Sequence, residues 1–126
     1  MQDALMDAKV LRRAADLIEQ GHCKHRAALG ADGLGTSPVS EHAVAWCLTG
    51  ALERAVAEAE GRMERMQPED WHDHEGILQA LRDTFKANKI KRAGGGVDWN
   101  NAPKRTADEV TDILRQAAER CENGAR

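Results

Sequence analysis

Histidine and cysteine carry most of the potential chemistry in this chain, and their spacing limits what they can do. His22-Cys23-Lys24-His25 and His72-Asp73-His74 bring together imidazole, thiol and carboxylate, the donor types that hold zinc. On a helix, however, His72 and His74 would point about 200° apart and could not grip one ion together. The three cysteines, Cys23, Cys47 and Cys121, contain no CxxC pair. No metal site and no cofactor is therefore expected. Cys23 with a nearby His as base is the enzymatic alternative. It follows Gly21, at the C-terminal end of a helix, where the dipole disfavours a thiolate. Cys47 and Cys121 fall on apolar stripes and read as small core residues, so no catalytic residue is assigned.

The segment from Gly94 to Thr106 is richer. A triple glycine leads through Val97-Asp98-Trp99-Asn100-Asn101 to Pro103-Lys104-Arg105, then to Thr106 and Glu109 with the spacing of a capping box. Free N–H groups at a helix N-terminus beside Lys104 and Arg105 would attract an anion. Trp99 either covers an apolar part of that ligand or plugs the end of the helix bundle, with Asn100 and Asn101 forming turns. A cation just ahead of a helix N-terminus is disfavoured. Arg105 is therefore expected to pair with an acid, on a ligand, on a partner or within the chain.

The charges are divided. From Ala57 to Glu75 seven acids face two bases, and from Arg82 to Arg105 seven bases face two acids. The basic segment 82–105 makes weak nucleic-acid binding, with Trp99 stacking on a base, a second alternative. The net charge of −3 gives it little support, and nucleic acid is not the expected partner.

Helices must position these residues. At 126 residues, with three Trp, one Phe and no Tyr among mostly Ala, Leu and Val, the chain reads as a single helical domain, 1–126. Periodic apolar positions predict a first helix over Asp3–Gln20, ended by Gly21. A glycine-broken loop then runs from His22 to about Ser37. Ser37-Pro38 is expected to open a second helix with the stripe Val44, Cys47, Leu48, Ala51, Ala55 and Ala59. Gly50 inside it implies close approach of a neighbouring backbone. Gly61–Gln67 is a charged connector, itself a candidate fifth helix. Pro68 opens a third helix carrying Trp71, Ile77, Leu78, Leu81 and Phe85. The last begins at Thr106 and buries Val110, Ile113, Leu114, Ala117 and Cys121. No alternating strand stands out. The expected fold is all-α, a compact bundle of four to five amphipathic helices.

Leu-Arg-Arg-Ala-Ala (11–15), Gly-His-Cys (21–23), Trp-Cys-Leu-Thr-Gly-Ala-Leu (46–52) and Trp-Asn-Asn-Ala-Pro-Lys-Arg-Thr (99–106) follow in order. Together they resemble a family of small bacterial and phage proteins of unknown function. That family carries Gly-Trp-Cys, Trp-Cys-x-x-Gly-Ala-Leu and Trp-Asn-Asp-x-x-x-Arg-Thr. The resemblance points to Cys23, Trp46, Cys47, Gly50, Trp99, Asn100, Arg105 and Thr106. This chain departs from it at His22, where Trp is usual, and at Asn101, where Asp is usual. The family brings no activity with it.

The expectation is a non-enzymatic binding protein that acts through a protein partner or a small anionic ligand. Its expected site is Trp99, Asn100, Lys104, Arg105 and Thr106, with Cys23 and Trp46. The opening Met1-Gln2-Asp3 shows no signal-peptide pattern, and no apolar run approaches a membrane span. A cytoplasmic setting is expected.

Overall fold

The computed structural model describes residues 4–61, 63 and 74–124. The described residues form mostly helix, with five α-helices and one small antiparallel sheet. The helices are α1 (Ala4–Gln20), α2 (Leu48–Glu60), α3 (Glu75–Ala87), α4 (Val97–Asn101) and α5 (Ala107–Gly124). The strands are β1 (Ala28–Gly30), β2 (Gly35–Thr36) and β3 (Ala43–Trp46), in the order β2-β1-β3.

The long helices follow the periodicity of the sequence. α1 buries Val10, Leu11, Ala14, Leu17 and Ile18 on one face and packs mainly against α5, then α2. α5 answers with Val110, Ile113, Leu114, Ala117 and Cys121, and α3 adds Ile77, Leu81 and Phe85 to the same core. Among the described residues, no helix is long and apolar enough to cross a membrane.

The expectation of a purely helical chain is corrected between residues 22 and 47. The loop after α1 contains β1 and β2, and the second helix starts at Leu48 instead of Ser37-Pro38. Ser37 caps a tight turn, its hydroxyl accepting the Val39 N–H at 3.3 Å while its carbonyl accepts Ser40 N–H at 3.0 Å. Residues 43–46 are held as strand by pairing with β1, in the register Ala28↔Trp46 and Leu29↔Ala45. Trp46 N–H also donates to Gly21 at 2.9 Å, and its carbonyl accepts Cys23 N–H at 3.1 Å. Val44, expected on a buried helical stripe, is therefore exposed. Its spacing fits a helix, but pairing with residues 21–30 decides the backbone.

Gly50 fits the expected close approach. A Cβ there would lie 1.9 Å from the carbonyl oxygen of Ala27, so the strand segment rests directly on the first turn of α2. The triple glycine also works as backbone. Gly94, Gly95 and Gly96 all have positive φ, at 58°, 67° and 98°, and make the 3-10 turn that aims α4. The expected connector over Gly61–Gln67 and the expected start of α3 at Pro68 and Trp71 lie largely outside the described residues, and so do His72 and Asp73.

Candidate functional site

Asn100 is fully buried and is a hub between three segments. Its Oδ1 accepts Leu48 N–H, at the start of α2, at 3.1 Å and lies 2.8 Å from His22 Nε2. Its Nδ2 donates to the Cys23 carbonyl at 3.1 Å and to Asn101 Oδ1 at 3.2 Å. A backbone N–H can only donate and a carbonyl can only accept, so the amide orientation is fixed. His22 must therefore carry its proton on Nε2. Asn101 Oδ1 also accepts His25 N–H at 2.8 Å. His22 and Asn101 thus both take part in the hydrogen-bond network, His22 as an N–H donor and Asn101 through its side-chain oxygen.

Trp99 is buried beside this hub, edge-on to Phe85 with ring centroids 5.4 Å apart. The Arg105 guanidinium lies over the Trp99 ring, 4.2 Å from its centroid. Arg105 Nε donates to the Trp99 carbonyl at 3.0 Å, and its terminal nitrogen meets Glu109 at 2.8 Å. The acid that the position of Arg105 calls for is therefore Glu109 of the same chain. Thr106 and Glu109 form a reciprocal capping box. Thr106 N–H donates to Glu109 Oε1 at 3.0 Å, and Glu109 N–H donates to Thr106 Oγ1 at 3.2 Å. The Thr106 backbone hydrogen bond leads the causes that hold the Glu109 carboxyl below its ordinary range. Lys104 stays exposed, while Lys24 ties the end of α4 by donating to the Ala102 carbonyl at 2.7 Å.

Cys23 is buried, and its thiol donates weakly to the Arg26 carbonyl at 3.4 Å. Burial, reinforced by neighbouring Cys47, pushes its pKa up to about 11. It carries almost no thiolate at neutral pH. Cys47 is the N-cap of α2 instead of a member of its apolar stripe, and its Sγ accepts Gly50 N–H at 3.3 Å. Trp46 is buried, its indole N–H donating to the Pro38 carbonyl at 3.0 Å. His74 Nε2 lies 2.8 Å from Glu60 Oε1. Among the described residues, no group of three or more His, Cys, Asp or Glu could hold a metal ion.

A roomy concavity lies beside Phe85. It has a volume of about 750 Å³, with an apolar floor of Leu78, Leu81, Phe85, Ile90 and Ala93. Arg82, Lys86, Lys89 and Lys91 line it as well, with Gly95 at one end. Among the described residues none of these four cations makes an ion pair, whereas Arg12, Arg13, Arg54, Arg105 and Arg115 each meet a carboxylate. A Schellman turn shapes the wall: Ile90 N–H donates to the Phe85 carbonyl at 2.9 Å and Lys89 N–H to the Lys86 carbonyl at 3.0 Å. The left-handed position of that turn normally belongs to glycine, yet here it is Lys89, with φ 61°. The sequence shows the cations as a basic run. Leu78, Leu81 and Phe85 read from it only as core, because the groove depends on residues 89–95 turning back past α3.

A second cleft of about 150 Å³ lies between the start of α2 and α4, lined by Arg26, Cys47, Thr49 and Asn101 among others. The structure thus gathers Cys23, Trp99, Asn100, Arg105 and Thr106 around α4, while Trp46 sits in β3 against Pro38 and Arg54. The roomy groove lies beyond them, with Trp99 backing its Phe85 wall. No curated protein and no solved structure matches the chain. One family model does, and it covers residues 4–120, so the chain belongs to the family of unknown function DUF6197.

Proposed function

We propose that this protein is a small non-enzymatic binding protein, of a bacterial or phage accessory type, that takes an anionic ligand or the acidic face of a protein partner. The observation that carries the reading is the groove beside α3. It combines an apolar floor with four cations that have no acid of their own among the described residues. Its volume of about 750 Å³ fits the range of small-molecule sites. Lys89 adds support, because a lysine in a glycine position sacrifices backbone stability and keeps a charge at the rim. The buried, high-pKa thiol of Cys23 weighs against the enzymatic alternative. The burial of Trp99 against Phe85 and under Arg105 weighs against base stacking, and so against the nucleic-acid alternative. The capping box uses N–H groups at the start of α5, which favours the groove over Lys104 as the anion site.

The test uses 8-anilinonaphthalene-1-sulfonate, an apolar anion whose fluorescence reports burial. One equivalent should bind the folded protein and bind at least tenfold more weakly to the Lys86→Glu, Lys89→Glu double variant. A control with Lys104→Glu and Arg120→Glu makes the same change in net charge elsewhere and should bind as the parent does. Equal binding by parent and groove variant, or loss only in the control, overturns the reading.

A further inference from the structure

Resting on that binding reading, we infer that the occupant of the groove is a free single-chain acyl carboxylate: an unfunctionalised aliphatic body with one anionic end. The lining itself selects this class. Among the described residues it contains no Ser, Thr, Asn, Gln, His, Asp or Glu, so apart from the four cations none of them offers a side-chain hydrogen bond to a sugar, a base or an extended peptide. A ligand with polar groups along its length would bury them unpaired, and one without them loses nothing. The floor is aliphatic apart from Phe85, whose ring is already engaged edge-on by Trp99. A flexible alkyl chain fits such a surface better than a flat aromatic system, which gains from stacking partners.

The charge falls at the correct place for a head group. Arg82 and Lys86 are one helical turn apart on α3, and Lys89 follows in the turn after the helix. Among the described residues the lining includes no acid, so none of them offers a cationic amphiphile a counter-charge. Ile90, brought back onto Phe85 by the Schellman turn, closes the apolar part beside this cationic row.

Calorimetric titration of the full chain with dodecanoate, kept below its micelle concentration, tests the inference. One equivalent should bind and displace anilinonaphthalene sulfonate. Affinity should rise from octanoate to dodecanoate by about fourfold for each methylene buried. Dodecyltrimethylammonium and dodecyl maltoside, which share the chain, should bind at least tenfold more weakly. Lys86→Glu with Lys89→Glu should weaken dodecanoate at least tenfold while leaving the thermal midpoint within a few degrees. Affinity independent of chain length, or equal binding of the three head groups, overturns the acyl-carboxylate assignment. Sulfonate binding at the groove without dodecanoate binding overturns the assignment and leaves the anion-binding reading standing. Absence of both removes both. Displacement of the sulfonate by an acidic amphipathic helical peptide but not by dodecanoate assigns the groove to a protein partner. Protection of the groove by self-association as protein concentration rises assigns it to a second copy, and either result overturns the inference.

Discussion

The side-chain oxygen of Asn100 accepts the backbone N–H of Leu48 at 3.1 Å, so a residue of the short helix α4 completes the start of α2 from 52 positions away. The same amide closes on the Cys23 carbonyl, and the side chain is fully buried. Asn100→Ala leaves both groups without their partner in a dry environment. It should destabilise the fold by about 2 to 4 kcal/mol. Asn100→Asp should be no milder, because a carboxylate oxygen would face the Cys23 carbonyl. Urea unfolding monitored by circular dichroism measures both, and a loss under about 1 kcal/mol would contradict the hub.

Arg105 is bound within the chain through Trp99 and Glu109. Arg105→Ala should therefore cost about 1 to 2 kcal/mol, and Arg105→Lys should recover only part of it, since an ammonium lacks the guanidinium plane and fork. Thr106→Ala should cost about 1 kcal/mol through the lost cap. Losses within about 0.5 kcal/mol for Arg105→Ala would mean that its contacts contribute little and would return it to the binding candidates.

α1 and α5 were legible in the sequence because each has a single apolar stripe with a defined end: Gly21 after one, the Thr106–Glu109 box before the other. Residues 37–47 were not. Val44, Cys47, Leu48 and Ala51 fit a helical period, and the strand state of 43–46 depends on partners at 21–30 that local pattern cannot reveal. The same limit hid the groove. Arg82, Lys86, Lys89 and Lys91 were visible as charge, but the apolar floor appears only when Ile90 folds back on Phe85. Asn100 was singled out from its motif, while its cap on α2 is a tertiary relation.

Lys89 separates stability from binding. Lys89→Gly removes the strain of a side chain at φ 61° and should raise stability by about 1 kcal/mol. It should also weaken anilinonaphthalene sulfonate binding several-fold. Thermal unfolding and fluorescence titration of one variant read both effects, and a variant that is more stable and binds equally well would remove the functional reason for this lysine.

Glu58 gives the fold an acid limit. Burial pushes its pKa up, but hydrogen bonds from Arg13 and Arg54 outweigh that and leave it below the ordinary 4.5. A lowered folded pKa contributes stability that is full above the unfolded value and lost as pH falls through the folded one. Glu58→Gln should therefore be clearly less stable than the parent near pH 6. The gap should narrow steadily as pH falls below the ordinary carboxylate value of 4.5. Urea midpoints at three pH values check it, and a gap that does not change with pH would show that Glu58 acts only through packing.

The central claim is the location of the site, and nitrogen-15 chemical-shift mapping tests it most directly. On titration with anilinonaphthalene sulfonate, the largest amide shifts should fall between Leu78 and Gly95, centred on Lys86, Lys89 and Ile90. They should be absent from the same titration of the Lys86→Glu, Lys89→Glu variant. Shifts centred instead on Lys104–Thr106, or on the cleft at Cys47, Thr49 and Asn101, would contradict the account.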